Sequence, residues 1–257
     1  MFRAEVQKYL WSRWFWASQL AGIAFALLFA LKDFYFNTAR YSVIDGYMHA
    51  SGSLSLFWQT ILPLVAVLFA AYLICSEYGW GTLRLYFFEG VERVAVARVK
   101  FAMMLFALLS FAFSYYAVVM TLSVVLFGLS GILIADRVMS AGEVILRLTA
   151  SYVWGVALIG VFAGLAQIFS LQLRGNLGFA SFSALGIFYF VMLSGAITRL
   201  PLLEYLTRPG REVLRERLLT NEVGSVFLKG AALLIILYGL VYWVFRRQLQ
   251  KMDILLV

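Results

Sequence analysis

The chain is poor in the residues that build most soluble sites. Its single cysteine, Cys75, excludes an internal disulfide and any cysteine-based metal site, and its single histidine, His49, excludes a histidine ligand cluster within one chain. Charge is scarce as well: 13% of residues are Asp, Glu, Lys or Arg, against about 25% in soluble domains. No G-x-x-x-x-G-K-(S/T) run occurs, so the chain has no Walker loop with which to bind ATP. The central parts of the long apolar runs hold no Asp, Glu, Lys or Arg. Ion-coupled carriers and proton pumps usually keep an ionisable group at membrane depth, so this absence weighs against secondary active transport.

What remains is 63% hydrophobic, arranged in long uncharged runs. A membrane-crossing helix needs roughly 20 apolar residues, and 257 residues divide into six such stretches with short connections. The spans are read at 14–31, 56–76, 101–127, 148–173, 175–198 and 223–245, in an all-α integral membrane domain covering residues 1–257. Trp14 and Trp16 open the first at interfacial depth. Gly128 and Gly131 end the third, and Lys229 snorkels from the last. Ahead of them, residues 1–13 carry Arg3, Lys8 and Arg13 with Phe2, Val6, Tyr9 and Leu10 at helical spacing. That pattern predicts a helix lying along the bilayer surface. A signal peptide is the competing reading, but the run from Trp14 to Leu31 is long for one and leads into further spans.

The net charge of +8 raises nucleic acid as a partner. The basic residues cluster between apolar runs, where orientation and anionic headgroups account for them better. With the N-terminus inside, eleven Lys and Arg fall on the inner side; once the self-neutralising stretch 199–229 is set aside, four fall outside. This predicts N-in and C-in. Pro201 and Pro209-Gly210 punctuate the 199–222 segment, which reads as two short helices over the outer mouth.

Between the second and third spans lies a charged, motif-like loop, residues 77–100. Glu77 ends an uncharged run; at the negative end of a helix dipole an acid costs ~0.3–1 kcal/mol, so a cationic partner is expected. Gly79 and Gly81 break the helix and Thr82 can cap a new one. Leu83, Tyr86 and Phe87 then share one face, as in a short amphipathic surface helix.

Glu77, Gly81-Thr82, Arg84, Arg93 and Lys100 together resemble the E-x-x-x-G-T-x-(R/K) segment of type-2 ABC exporter permeases. The order of parts resembles that family over nearly the whole chain: basic elbow helix, six spans, this loop, an external segment after the fifth span, and the basic tail Arg246-Arg247. Tyr86, Phe87 and Phe88 stand where the family favours leucines, and Glu89 and Glu92 make the loop less basic.

The resemblance implies that residues 77–100 are a cytosolic coupling segment docking on a separate ABC ATPase, with Glu77, Gly81, Thr82, Leu83, Arg84, Tyr86, Phe87 and Arg93 in the coupling role. ATP and Mg would be bound by that ATPase, not by this chain. A second permease copy or paralogue would complete the pathway, in a plasma (bacterial inner) membrane. On this reading Glu77→Ala leaves folding intact and uncouples ATP hydrolysis from transport. Other classes stay open: a non-transporting scaffold, immunity or assembly factor, a channel, or an ion-coupled carrier.

Inside the spans, Gln167, Ser151 and Ser194 are polar groups that could line a pathway, though bonding to backbone or neighbouring helices is the simpler role. Gly160 and Gly164 form a small-x-x-x-small pair for close helix packing. Gly128-Leu129-Ser130-Gly131 imitates an intramembrane serine protease motif, but the one histidine, His49, is read in an outer loop far away in the chain.

Overall fold

A computed structural model describes residues 2–38, 45–128, 132–134, 137–197 and 222–251. The described chain is helical apart from one small ribbon. Helix α1 (Phe2–Leu10) is followed by α2 (Arg13–Thr38), α3 (Gly46–Gln59), α4 (Ile61–Gly79), the short α5 (Thr82–Phe88) and α6 (Arg93–Leu122). A π-helical turn, Ser123–Phe127, ends α6. An antiparallel pair, β1 (Ile132–Ile134) and β2 (Arg137–Met139), leads to α7 (Ala141–Gln172), α8 (Leu177–Ile197) and α9 (Glu222–Lys251).

Among the described residues six segments are long and apolar enough to cross a bilayer, with α3 and α4 counting as one and the π turn extending α6. The chain is an all-α, multi-pass membrane protein.

The helices run past the uncharged stretches. Helix α2 continues to Thr38 and carries Lys32 and Asp33; α6 starts at Arg93 and α7 at Ala141; α9 reaches Lys251. Apolar composition reports the hydrocarbon thickness, whereas a helix continues until its backbone bonding is broken. The breaks have local causes. Asp45 caps α3 by accepting from the Met48 N–H at 2.8 Å, Ser140 caps α7 through Glu143, and Asn176 caps α8 through Phe179. The second crossing bends at Thr60, because Pro63 has no N–H for the Gln59 carbonyl and its ring crowds it. Gly128 closes the π turn at φ +71°. The predicted external helices at 199–222 lie outside the described residues except for Glu222, the first residue of α9; Gly131 and Ser130 lie outside them too.

Helix α7 is the hub, packed on α3, α4, α6, α8 and α9. Its glycines allow this. A Cβ on Gly160 would meet the Tyr238 hydroxyl at 1.9 Å, and one on Gly164 the Val241 Cγ1 at 2.5 Å. The small-x-x-x-small pair therefore seats α9 within the subunit. Phe57 and Tyr115 stack across the α3–α6 contact with ring centroids 3.5 Å apart, and the Tyr115 hydroxyl bonds Ser53 Oγ at 2.8 Å.

Candidate functional site

At one end of the bundle α1, α5, the α7–α8 turn and the C-terminal end of α9 come together. Arg93 Nη1 donates to the Gln250 carbonyl at 2.6 Å, and Gly175 packs on the Tyr78 ring. The 77–100 segment condenses here. Glu77 belongs to the last turns of α4, Trp80 and Gly81 make the break, and 93–100 form the first two turns of α6. Gly81 sits at φ +70°, a conformation that suits glycine. The Thr82 hydroxyl donates to the Glu77 carbonyl at 3.2 Å, so it covers the open end of α4 instead of capping α5. A Schellman closure ends α5: Val91 N–H bonds the Tyr86 carbonyl and Gly90 N–H the Phe87 carbonyl, with Gly90 at φ +78°.

The expected cationic partner of Glu77 is Lys100. Its ammonium bonds Glu77 Oε1 and, at 3.0 Å, Glu5 Oε2 of α1. All three are buried, at 2%, 1% and 7% exposure for Glu77, Lys100 and Glu5. The exposed Lys8 adds its ammonium 3.7 Å from Glu77 Oε1. Gln167 Nε2 donates to the Lys100 carbonyl at 3.2 Å, and Tyr86 donates its hydroxyl to Glu5 Oε1 at 3.4 Å. Partial burial, with the negative charges of Glu77 and Glu5, pushes the Tyr86 phenol up to about 12. Lys100 is thus the one buried ammonium between two buried carboxylates, and the exposed Lys8 brings a second positive charge to the cluster.

This changes what is expected of one variant. Glu77 faces inward and bonds buried Lys100, so Glu77→Ala is expected to leave a buried ammonium short of a partner and to destabilise the fold. Glu77 is a positioning residue that fixes the end of α4 to α1 and α6.

The other residues divide by face. Leu83 is buried at 3% exposure and Phe87 packs on the main core. Arg93 lies over the Phe87 ring at 5.2 Å while it bonds Gln250. Arg84 is in α5, but its side chain lies outside the described residues. Outward stand Trp80 at 70% and Phe88 at 73% exposure, with Glu89 and Glu92 beside them. The inward side thus holds α5 rigidly, and the outward side offers two aromatics between acids.

The remaining polar candidates do not join this cluster into a pathway. Gln167 is fully buried beneath Lys100; Ser151 is buried in α7, and Ser194 lies near the C-terminal end of α8. Among the described residues no group of three or more His, Cys, Asp or Glu converges on a metal position.

Sequence reasoning missed a second ionic site. His49 is not in a loop: it lies in α3, fully buried, with Nδ1 2.8 Å from Asp33 Oδ2 of α2. Lys32 approaches the other Asp33 oxygen at 2.9 Å, and the imidazole stacks on Phe127 of the π turn. The missed signal for Glu5 is an acid in an otherwise basic helix one turn before buried Tyr9. For Lys100 it is a cation directly abutting a long apolar run.

No protein-family model matches the chain, and no curated protein matches it.

Proposed function

We propose that the chain is the membrane-spanning permease subunit of an ATP-driven ABC exporter, working as a dimer and coupled to a separate ATPase through α5. The observation that carries the reading is the anchoring of the α4–α5–α6 corner. A short helix between the second and third crossings is fixed from behind by Glu77, Lys100 and Glu5, and presents Trp80 and Phe88 outward. Such a corner can transmit force, since a push on α5 moves α1, α4 and α6 together. Arg93 extends the connection to α9 through Gln250.

The grouping of α1, α5, the α7–α8 turn and the end of α9 supports both termini on one side. With the 199–229 stretch set aside, the positive-inside count supports the cytosol for that side. ATP and Mg would be held by the ATPase. Closure of the ATPase dimer would drive two copies of this chain, or the chain and a paralogue, between inward- and outward-open arrangements by rigid-body motion. With no charged group in the central parts of the spans, the cargo would be amphipathic or lipid-like.

The test is a mild-detergent pull-down from the native membrane with identification of every stoichiometric partner. A soluble protein bearing a Walker loop, whose ATPase activity falls when α5 is altered, is the expected result. A preparation without such a protein overturns the reading and favours a membrane scaffold or assembly factor holding its partner through the same corner.

A further inference from the structure

Helices α2, α4 and α6 do not close on one another over their whole length. Beside the ionic corner they leave a groove of about 370 Å³, bounded at one end by Tyr9 and Trp14. Its width follows from small residues on facing helices: Ala17 and Ala21 on α2 and Ala107 on α6, opposite Phe69 of α4. Its lining is almost wholly apolar, the polar tips being those of Tyr9, Trp14, Ser18 and Tyr72. The Ser18 hydroxyl donates to the Phe15 carbonyl at 2.7 Å, and the Tyr9 hydroxyl is paired with Ser110. Apart from the Trp14 and Tyr72 tips, the lining offers a ligand only apolar surface.

The position of the groove identifies its occupant. Trp11, Trp14 and Trp16 are all strongly exposed, and an exposed tryptophan belt marks the headgroup level of a bilayer. From Trp14 to Ala21 the helix rises roughly 10 Å, about two thirds of the hydrocarbon depth of one leaflet. The lining therefore begins at the headgroups and runs inward along the chain direction of a lipid. Arg3, Lys8 and Arg13 stand at its headgroup end, and all three are exposed.

We propose that this groove binds one acyl chain of an anionic glycerophospholipid of that leaflet, with its phosphate at the level of Lys8 and Arg13. The lipid is a resident one that wedges α2 against α4 and α6, next to the Glu5–Lys100–Glu77 cluster. The site does not depend on the transport reading, only on the chain lying in a bilayer.

The test is to reconstitute the full chain into vesicles of phosphatidylglycerol or of phosphatidylcholine carrying a diazirine midway along one acyl chain. After irradiation, the adducts are mapped by peptide mass spectrometry. The expected result is labelling of Ala17, Ala21, Phe69 and Ala107 several-fold above that of Phe113, Phe182 and Phe190. Those three are lipid-facing side chains exposed at 73%, 79% and 67%. The excess is larger from phosphatidylglycerol, and it disappears in Ala17→Phe/Ala21→Phe, which fills the groove at exposed positions.

Labelling that simply follows exposure overturns the site, as does an excess that survives the filled groove. Equal excess from both lipids overturns the anionic assignment. Should the double variant fail to insert, the wild-type labelling pattern decides alone.

Discussion

Lys100 places its ammonium 3.0 Å from the carboxylate of Glu5, joining the surface helix that opens the chain to the second turn of α6, 95 residues later. The same ammonium holds Glu77, so one buried cation fixes three helices. Removing one member of a desolvated ion cluster leaves the others uncompensated, typically at about 3–5 kcal/mol, whereas replacing the whole set is often neutral. Lys100→Met is therefore expected to lower the unfolding temperature in mild detergent sharply. The triple variant Glu5→Gln/Glu77→Gln/Lys100→Met should recover most of the loss. Equal destabilisation by the single and triple variants would mean that the charges themselves are not what Lys100 contributes.

Tyr86 reports on the same cluster. Its phenol is raised from 10 to about 12, so the folded state holds the proton where the unfolded chain has begun to lose it. The associated stability is fully present below pH 10 and is lost as pH rises through about 12. A phenolate absorbance titration of wild type minus Tyr86→Phe isolates this group. The difference is expected to titrate near pH 12 in wild type and to move down toward 10 in Glu5→Gln, which removes one negative neighbour. A difference curve centred at 10 in wild type contradicts the contact. Tyr86→Phe itself is expected to cost about 0.5–1.5 kcal/mol, the usual net worth of one hydrogen bond.

The fold was the legible part of this molecule, and the ionic contacts were not. Six crossings follow from apolar runs, because bilayer thickness is a length that composition reports directly. Gly79 and Gly81 were readable as breakers; Gly81 adopts positive φ, whereas Gly79 is still the last helical residue of α4. The partner of Glu77 was readable only as a charge sign. That it is Lys100, and that Glu5 shares it, depends on α6 continuing helically through 93–100, which places Lys100 inside the bundle. Asp33 and His49 were hidden for the same reason: each sits where a helix outlasts its apolar run. Thr82 was misread because a hydroxyl beside a helix break can serve either neighbour.

The α7–α9 contact gives a prediction with a built-in rescue. The Tyr238 hydroxyl donates to the Ala157 carbonyl at 2.8 Å and fills the space over Gly160. Gly160→Ala should destabilise by about 1–3 kcal/mol through overpacking. Adding Tyr238→Phe removes the atom at 1.9 Å and leaves ring carbon at 3.0 Å, so part of the loss should return. Gly164→Ala meets Val241 instead and should gain nothing from Tyr238→Phe. Melting of the four variants reads this out, and equal rescue of both glycine variants would rule out the specific contact.

Asp33 and His49 join α2 to α3 at the end opposite α5, and the imidazole is clamped against Phe127. A double-mutant cycle of Asp33→Asn and His49→Gln is expected to give a coupling of about 0.5–3 kcal/mol, the range for residues in direct contact. Thermal melts in one detergent suffice. Additive losses would show that the pair stabilises only through packing. Lys32 gives a control: it bonds the same carboxylate from a half-exposed position, so Lys32→Met should cost no more than ~1 kcal/mol.

The outward aromatics give the test of coupling that Glu77 cannot, since its loss disturbs folding. Trp80 and Phe88 are 70% and 73% exposed, so truncating either removes little packing within the chain. Surface changes away from special features usually stay within about 0.5 kcal/mol. Aromatic side chains, by contrast, are the commonest anchors of protein interfaces, where truncation can cost ≥2 kcal/mol, about thirtyfold in affinity. If the proposed function holds, Trp80→Ala and Phe88→Ala are therefore expected to melt like wild type and yet lose most of the ATPase that the proposal has co-purifying. Glu77→Gln should lower the melting temperature as well as the recovery. An ATPase retained at full stoichiometry by both aromatic variants would move the proposed docking surface away from α5, and with it the proposed force path through Glu77, Lys100 and Glu5.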